Sequence, residues 1–142
     1  HMHRDMSKVI GSTCSMLATL RWMKSDSVNT EIFAFIGPGL AAQFDRVIQE
    51  RESGTLPLSK IHNFNFGDVV ACPAETIEKM YGMVGLDYSE QDKIAVETYI
   101  DNKPMGKHGK HEYTLAQFGY DKDQLQEMFA GYMKYFDVPC EN

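Results

Sequence analysis

Arg4 and Ser12 stand eight positions apart near the start of the chain, in the run His3-Arg4-Asp5-Met6-Ser7-Lys8-Val9-Ile10-Gly11-Ser12. An arginine presents a planar fork of N–H donors whose spacing matches a pair of phosphate or carboxylate oxygens. With a helix starting just after Arg4, Ser12 falls two turns into it and adds a hydroxyl. The orphan N–H groups and positive dipole end of such a helix would join them. These residue types suit an oxyanion, although an arginine and a serine at this spacing also arise by chance and the pair alone names no ligand. A second set lies far along the chain in Lys107-His108-Gly109-Lys110-His111, where a glycine lets backbone approach an anion and the lysines supply charge.

Each set has a plainer reading. Arg4 could balance Asp5 or the helix start on the surface, Ser12 could bond back to a helix carbonyl, and residues 107–111 could be a solvated loop. A metal reading of His108 and His111 has only Glu112 as a third ligand, where zinc wants three or four. No metal site and no catalytic residue are assigned. His62 alternates with apolar neighbours and reads as a packed or partly exposed side chain, and Asp68 as a turn-shaping residue that bonds nearby N–H groups.

The elements that must position these residues follow from caps and periodicity. Asp5 or Ser7 can cap a helix running to Met23, with Val9, Ile10, Thr13, Leu17 and Leu20 on one face and Gly11 as a soft spot. Asn29 or Thr30 caps a second helix, which Gly37-Pro38-Gly39 kinks or breaks before it resumes over 40–51. Residues 61–66 alternate in the manner of a strand, the single confident one. Pro73 opens a helix that Gly85 closes, and Ser89 opens another, with Asp92 a short-armed partner for a capping box. After a Gly-, Lys- and His-rich loop over 102–113 and a short helical turn over 114–118, Asp121 caps a last helix in which Leu125, Met128, Phe129, Tyr132, Tyr135 and Phe136 repeat at helical spacing. Phe118 and these aromatics are expected to be core, as are Met80, Tyr81, Met83 and Tyr88. The fold class is predominantly α with one or two short strands. A lone strand leaves backbone groups unpaired, so another piece of protein or a second copy of the chain should pair with it.

Composition narrows the function. The 142 residues carry a net charge of −6, with 43% hydrophobic and 24% charged side chains, which describes a globular domain and argues against a general nucleic-acid binder. Cys14, Cys72 and Cys140 are far apart and odd in number, so reduced thiols and a cytoplasmic location are expected. No apolar run reaches the roughly 18 residues of a membrane span. Residues 1–2 look like a vector remnant and 3–142 like one domain that begins abruptly, as a fragment would.

Three ordered stretches resemble nucleotide-dependent sulfotransferases, particularly the bacterial-type branch. The first is His3-Arg4-Asp5 with Lys8-Val9-Ile10, Ser12-Thr13-Cys14-Ser15 and Leu20-Arg21-Trp22. The second is Phe66-Gly67-Asp68-Val69-Val70-Ala71-Cys72-Pro73 with Ile77, Tyr81 and Gly85-Leu86. The third runs from Pro104 through Tyr113 to Phe118-Gly119 and the aromatic helix. The resemblance implies that Arg4 and Ser12 hold the 3′-phosphate of 3′-phosphoadenosine 5′-phosphosulfate (PAPS), or of adenosine 3′,5′-bisphosphate (PAP), and that Lys107, Gly109 and Lys110 belong to a basic loop closing over the nucleotide. The chain departs from the family in lacking a phosphate-binding loop, since Gly37-Pro38-Gly39 is followed by Leu40-Ala41-Ala42. The family's acceptor-activating base also lies upstream of this region. The expectation is therefore the C-terminal half of an α/β P-loop-like sulfotransferase fold, inactive alone, with a small-molecule or lipid acceptor and a tendency to form homo-oligomers through an exposed sheet edge. The alternative is a non-catalytic helical module that binds protein partners or itself.

Overall fold

Local capping decides most of the helix boundaries. The computed structural model describes residues 1–27, 29–103 and 112–141. Asp5 stands in extended backbone and its carboxylate accepts from the Ser7 N–H at 2.8 Å, which starts α1 (Met6–Trp22). Asn29 does the same for Glu31, but the turn that follows over Thr30–Phe35 is a 3-10 helix, and α2 (Ile36–Glu52) begins only afterwards. Gly37-Pro38-Gly39 therefore does not interrupt a helix. It occupies the first turn of α2, where Pro38 removes an N–H that no intrahelical carbonyl would have met.

The chain divides into two units. Unit 1 comprises residues 1–2 and 62–111. Its residues include Met2 of β1 (Met2–His3) and the whole of β2 (Phe64–Asn65), and these two strands are paired. The His1 amine donates to the His62 carbonyl at 2.6 Å and the Phe64 N–H to the His1 carbonyl at 2.9 Å, bonds that straddle Asn63 as in a parallel pair. The expected six-residue strand is thus two residues long, because its partner is equally short and Phe66 already starts α3 (Phe66–Ala71). That partner is the chain's own N-terminal segment. Then come α4 (Pro73–Met83), with Pro73 in its first turn, and α5 (Glu90–Asn102). Gly85, at φ 71°, closes α4: its N–H meets the Gly82 carbonyl and the Leu86 N–H meets Tyr81, the double bond of a left-handed cap. Asp92 completes the capping box with Ser89 in both directions, so the shorter carboxylate suffices.

Unit 2 comprises residues 3–61 and 112–142 and holds all of the buried apolar cluster: Met6, Ile10 and Cys14 of α1, Phe33, and Phe118, Tyr120, Leu125, Phe129, Tyr132 and Val138. The last helix is split into α6 (Lys122–Met128) and α7 (Ala130–Tyr135), because Phe129 leaves helical dihedrals (φ −105°, ψ 13°). The bonds from Phe129 N–H to Leu125 and from Met133 N–H to Phe129 carry the ladder across the break. Two core expectations fail: Tyr135 and Met83 are largely exposed, each on the outward side of its helix. Among the described residues no helix is long and apolar enough to cross a membrane.

Candidate functional site

Arg4 sits one residue before the cap of α1, at the point where extended backbone becomes helix. Its neighbours pin it from both sides. His3 is buried, shares a 3.0 Å hydrogen bond between Nδ1 and the Tyr132 hydroxyl, and stacks on Phe136 with ring centroids 4.0 Å apart. The Arg4 main-chain N–H donates to the same Tyr132 hydroxyl. Burial pushes the Tyr132 phenol above its usual range, and the bond from Arg4 opposes part of that shift. On the other side Asp5 is buried and uses both carboxylate oxygens, one for the helix cap and one for the Glu141 N–H at 2.7 Å.

The Arg4 side chain is directed at an anion. Its Nε and Nη2 donate to the two carboxylate oxygens of Glu141 at 2.9 and 3.0 Å. The fork and the carboxylate remain 35% and 33% exposed, so the pair is open to exchange with solutes. The hydrogen bond that Arg4 donates to Glu141 is the main influence raising the guanidinium's pKa, with burial opposing it, so Arg4 is a permanent cation. The fork thus holds a carboxylate in the two-bond geometry that a guanidinium offers to paired oxygens.

Ser12 lies seven positions beyond the cap, about 10 Å along the helix axis. It is exposed, and its hydroxyl makes no hydrogen bond among the described residues. Among the described residues no hydrogen bond joins Arg4 and Ser12. The helix terminus contributes less than its bare dipole promised, because the Asp5 carboxylate occupies the Ser7 N–H and places a negative charge there. Lys8 is half-buried, and its carbonyl receives the Tyr113 hydroxyl at 3.3 Å. Lys107, Gly109 and Lys110 lie outside the described residues, as do His108 and His111. Among the described residues no group of His, Cys, Asp and Glu could hold a metal.

Two other readings change. Asp68 is an exposed residue in the first turn of α3 and bonds through its main chain: its carbonyl accepts from the Cys72 N–H and, at 3.2 Å, from the hydroxyl of the buried Thr76. His62 likewise acts through its carbonyl. The groups sequence reasoning missed are Glu141, Lys122, which donates to the Glu141 carbonyl at 2.9 Å, and Tyr132. Glu141 is 137 positions from Arg4, and no local pattern marks it as a partner.

A groove of about 890 Å³ elsewhere in unit 2, lined by Leu17, Leu20, Arg21, Ile32, Phe33 and Phe35 among others, includes neither Arg4 nor Ser12. Residues 1–90, more than half of the chain, match the model of the sulfotransferase family. The fold is similar to that of the sulfotransferase STF9 from Mycobacterium avium, with a TM-score of 0.80 and 19% identity over 99% of this chain and 36% of that one. It is also similar to the sulfotransferase STF1 from Mycobacterium tuberculosis H37Rv, with a TM-score of 0.66 and 23% identity over 91% of this chain and 32% of that one. The chain thus spans about a third of the length of these solved structures. No curated protein matches it. With the family's sequence pattern over residues 1–90 and its fold over nearly the whole chain, the chain belongs to the sulfotransferase family.

Proposed function

We propose that this chain supplies the 3′-phosphate and nucleotide contacts of a sulfotransferase that uses PAPS as donor and a hydroxyl or amine as acceptor. The observation that carries the proposal is the Arg4 fork. It is half-exposed, permanently charged, placed at a strand-to-helix junction inside the family-matching region, and already bonded to two oxygens of one anion. Its donor set suits a phosphate, and the exposed Ser12 hydroxyl supplies a further bond two turns along α1. Lys107, Gly109 and Lys110 are assigned to the loop over the nucleotide on the family resemblance.

The donor carries the sulfuryl group and its phosphate leaving group, and transfer requires donor and acceptor held in line with charge stabilised between them. The residues of this chain bind and orient the far end of the nucleotide. They do not touch the sulfuryl, so the 142 residues alone are expected to show no turnover in a donor-plus-acceptor assay.

PAP should stabilise the protein against heat, by about 2.7 kcal/mol at 100 times its dissociation constant. Arg4→Ala should abolish that shift while leaving the melting of the free protein close to wild type, since an exposed ion pair is worth about 1 kcal/mol or less. The second reading is a non-catalytic, self-associating helical module. It is favoured by unit 1, where Thr76 is the one buried residue among those described and Met83, Val84, Leu86, Ile94 and Tyr99 are largely exposed. Absence of any shift at millimolar nucleotide, both in the wild type and in a Glu141→Gln variant that leaves the Arg4 fork without its carboxylate partner, would decide for that module.

A further inference from the structure

The anion on Arg4 belongs to the chain itself. Glu141 is held at three points: its N–H by the buried Asp5 carboxylate at 2.7 Å, its carbonyl by the Lys122 ammonium at 2.9 Å, and its carboxylate by the Arg4 fork. The first two bonds fix the main chain without using the side chain. The carboxylate is therefore delivered to the guanidinium by a segment anchored independently of it, and side-chain rotation alone can take the carboxylate off the fork.

From this geometry we infer that Glu141 is an internal competitor for the phosphate site, a carboxylate gate that occupies Arg4 until a nucleotide phosphate displaces it. The inference rests on the reading of Arg4 as a 3′-phosphate ligand. The two anions are mutually exclusive, because the same Nε and Nη2 donors serve both and like charges repel at contact distance. Exchange is open, since a third of each side chain faces solvent. An outgoing carboxylate keeps its hydration through that exposure, whereas a buried one would be trapped. Affinity for the nucleotide is then the intrinsic affinity multiplied by the fraction of time the fork is free. The gate lowers the affinity of every anion for the fork by the same factor, so a weakly held oxyanion falls out of its working range while a tightly held phosphate ester still binds.

The test compares PAP binding by calorimetry to the wild-type chain, Glu141→Gln, Glu141→Ala and the double variant Arg4→Ala/Glu141→Gln, at one pH and ionic strength. Two replacements at 141 guard against a folding defect in either, and the main-chain bonds to Asp5 and Lys122 require neither side chain. Removing the charge should tighten binding by about tenfold if the fork is otherwise free about a tenth of the time, and the double variant should lose the gain. A purely structural Glu141 would instead weaken binding or leave it unchanged when replaced. Binding by the Glu141 variants alone, with the wild type silent, supports the gate most directly. Equal or weaker binding by both Glu141 variants than by a wild type that binds would overturn the gate and leave the 3′-phosphate reading standing. Silence from all the chains at millimolar nucleotide would overturn both.

Discussion

Tyr132 and Asp5 are the residues that set where Arg4 stands. Tyr132 receives the Arg4 N–H and bonds His3, while Asp5 caps α1 and holds Glu141, so the arginine's backbone is fixed before its side chain meets anything. Tyr132 and Tyr120 both have phenols pushed above the ordinary value of 10.0, chiefly by burial. A group whose folded pKa is raised lends stability that is complete below the unfolded pKa and lost as pH rises through the folded one. Urea melts should therefore show little tyrosine-linked change up to about pH 9 and a decline above about pH 10. Tyr132→Phe and Tyr120→Phe should each flatten that decline while lowering stability near neutrality by about 1–3 kcal/mol through lost hydrogen bonds. An alkaline slope unchanged in both variants would refute the assignment.

At the scale of elements, α1 is the helix that follows Arg4 and carries Ser12, and Gly11 is its critical position. Propensity alone makes a mid-helix glycine a weakness. The structure gives it a purpose: a Cβ built there would lie 2.4 Å from the Tyr113 ring and 3.2 Å from Leu115, and that same tyrosine bonds the Lys8 carbonyl. Gly11→Ala should accordingly destabilise the chain by about 1 kcal/mol net, an overpacking cost of about 1–3 kcal/mol set against the gain of about 1 kcal/mol in helix propensity. Thermal melts check this, and a rise in melting temperature would show that the tyrosine swings aside freely. A related close approach governs α2, where Gly37 donates to the Tyr120 hydroxyl at 2.7 Å and the same hydroxyl donates to the Phe33 carbonyl. One phenol thus bridges the 3-10 turn and the start of α2.

At the scale of the whole molecule, apolar burial is unequal. Unit 2 contains the entire buried apolar cluster, whereas unit 1 buries Thr76 alone among its described residues and leaves large apolar side chains on α4 and α5 in solvent. Apolar surface of this kind is favourably removed from water. We expect the isolated chain to form dimers or larger species at micromolar concentration. Light scattering is the check, and a clean monomer would count against it. Replacing Val84 and Leu86 with serine should shift any such assembly toward monomer, since both side chains are largely exposed and neither belongs to the buried cluster.

What the chain alone determined were features closed within about four residues: the caps at Asp5, Asn29, Ser89 and Asp121, the glycine stop at Gly85, and the helical repeat that buries Leu125, Phe129 and Tyr132. These depend on bonds to near neighbours, so local residue types suffice to specify them. The position of Arg4 ahead of α1 was legible for the same reason. The tertiary structure alone decided the length of the strand, the role of Gly11 and the partner of Arg4. Each depends on residues brought together from far apart: β2 on the chain's first residues, Gly11 on Tyr113, and Arg4 on a glutamate 137 positions away. A guanidinium marks a place where an anion can pair, and only the packed chain shows that Glu141 is the one on it.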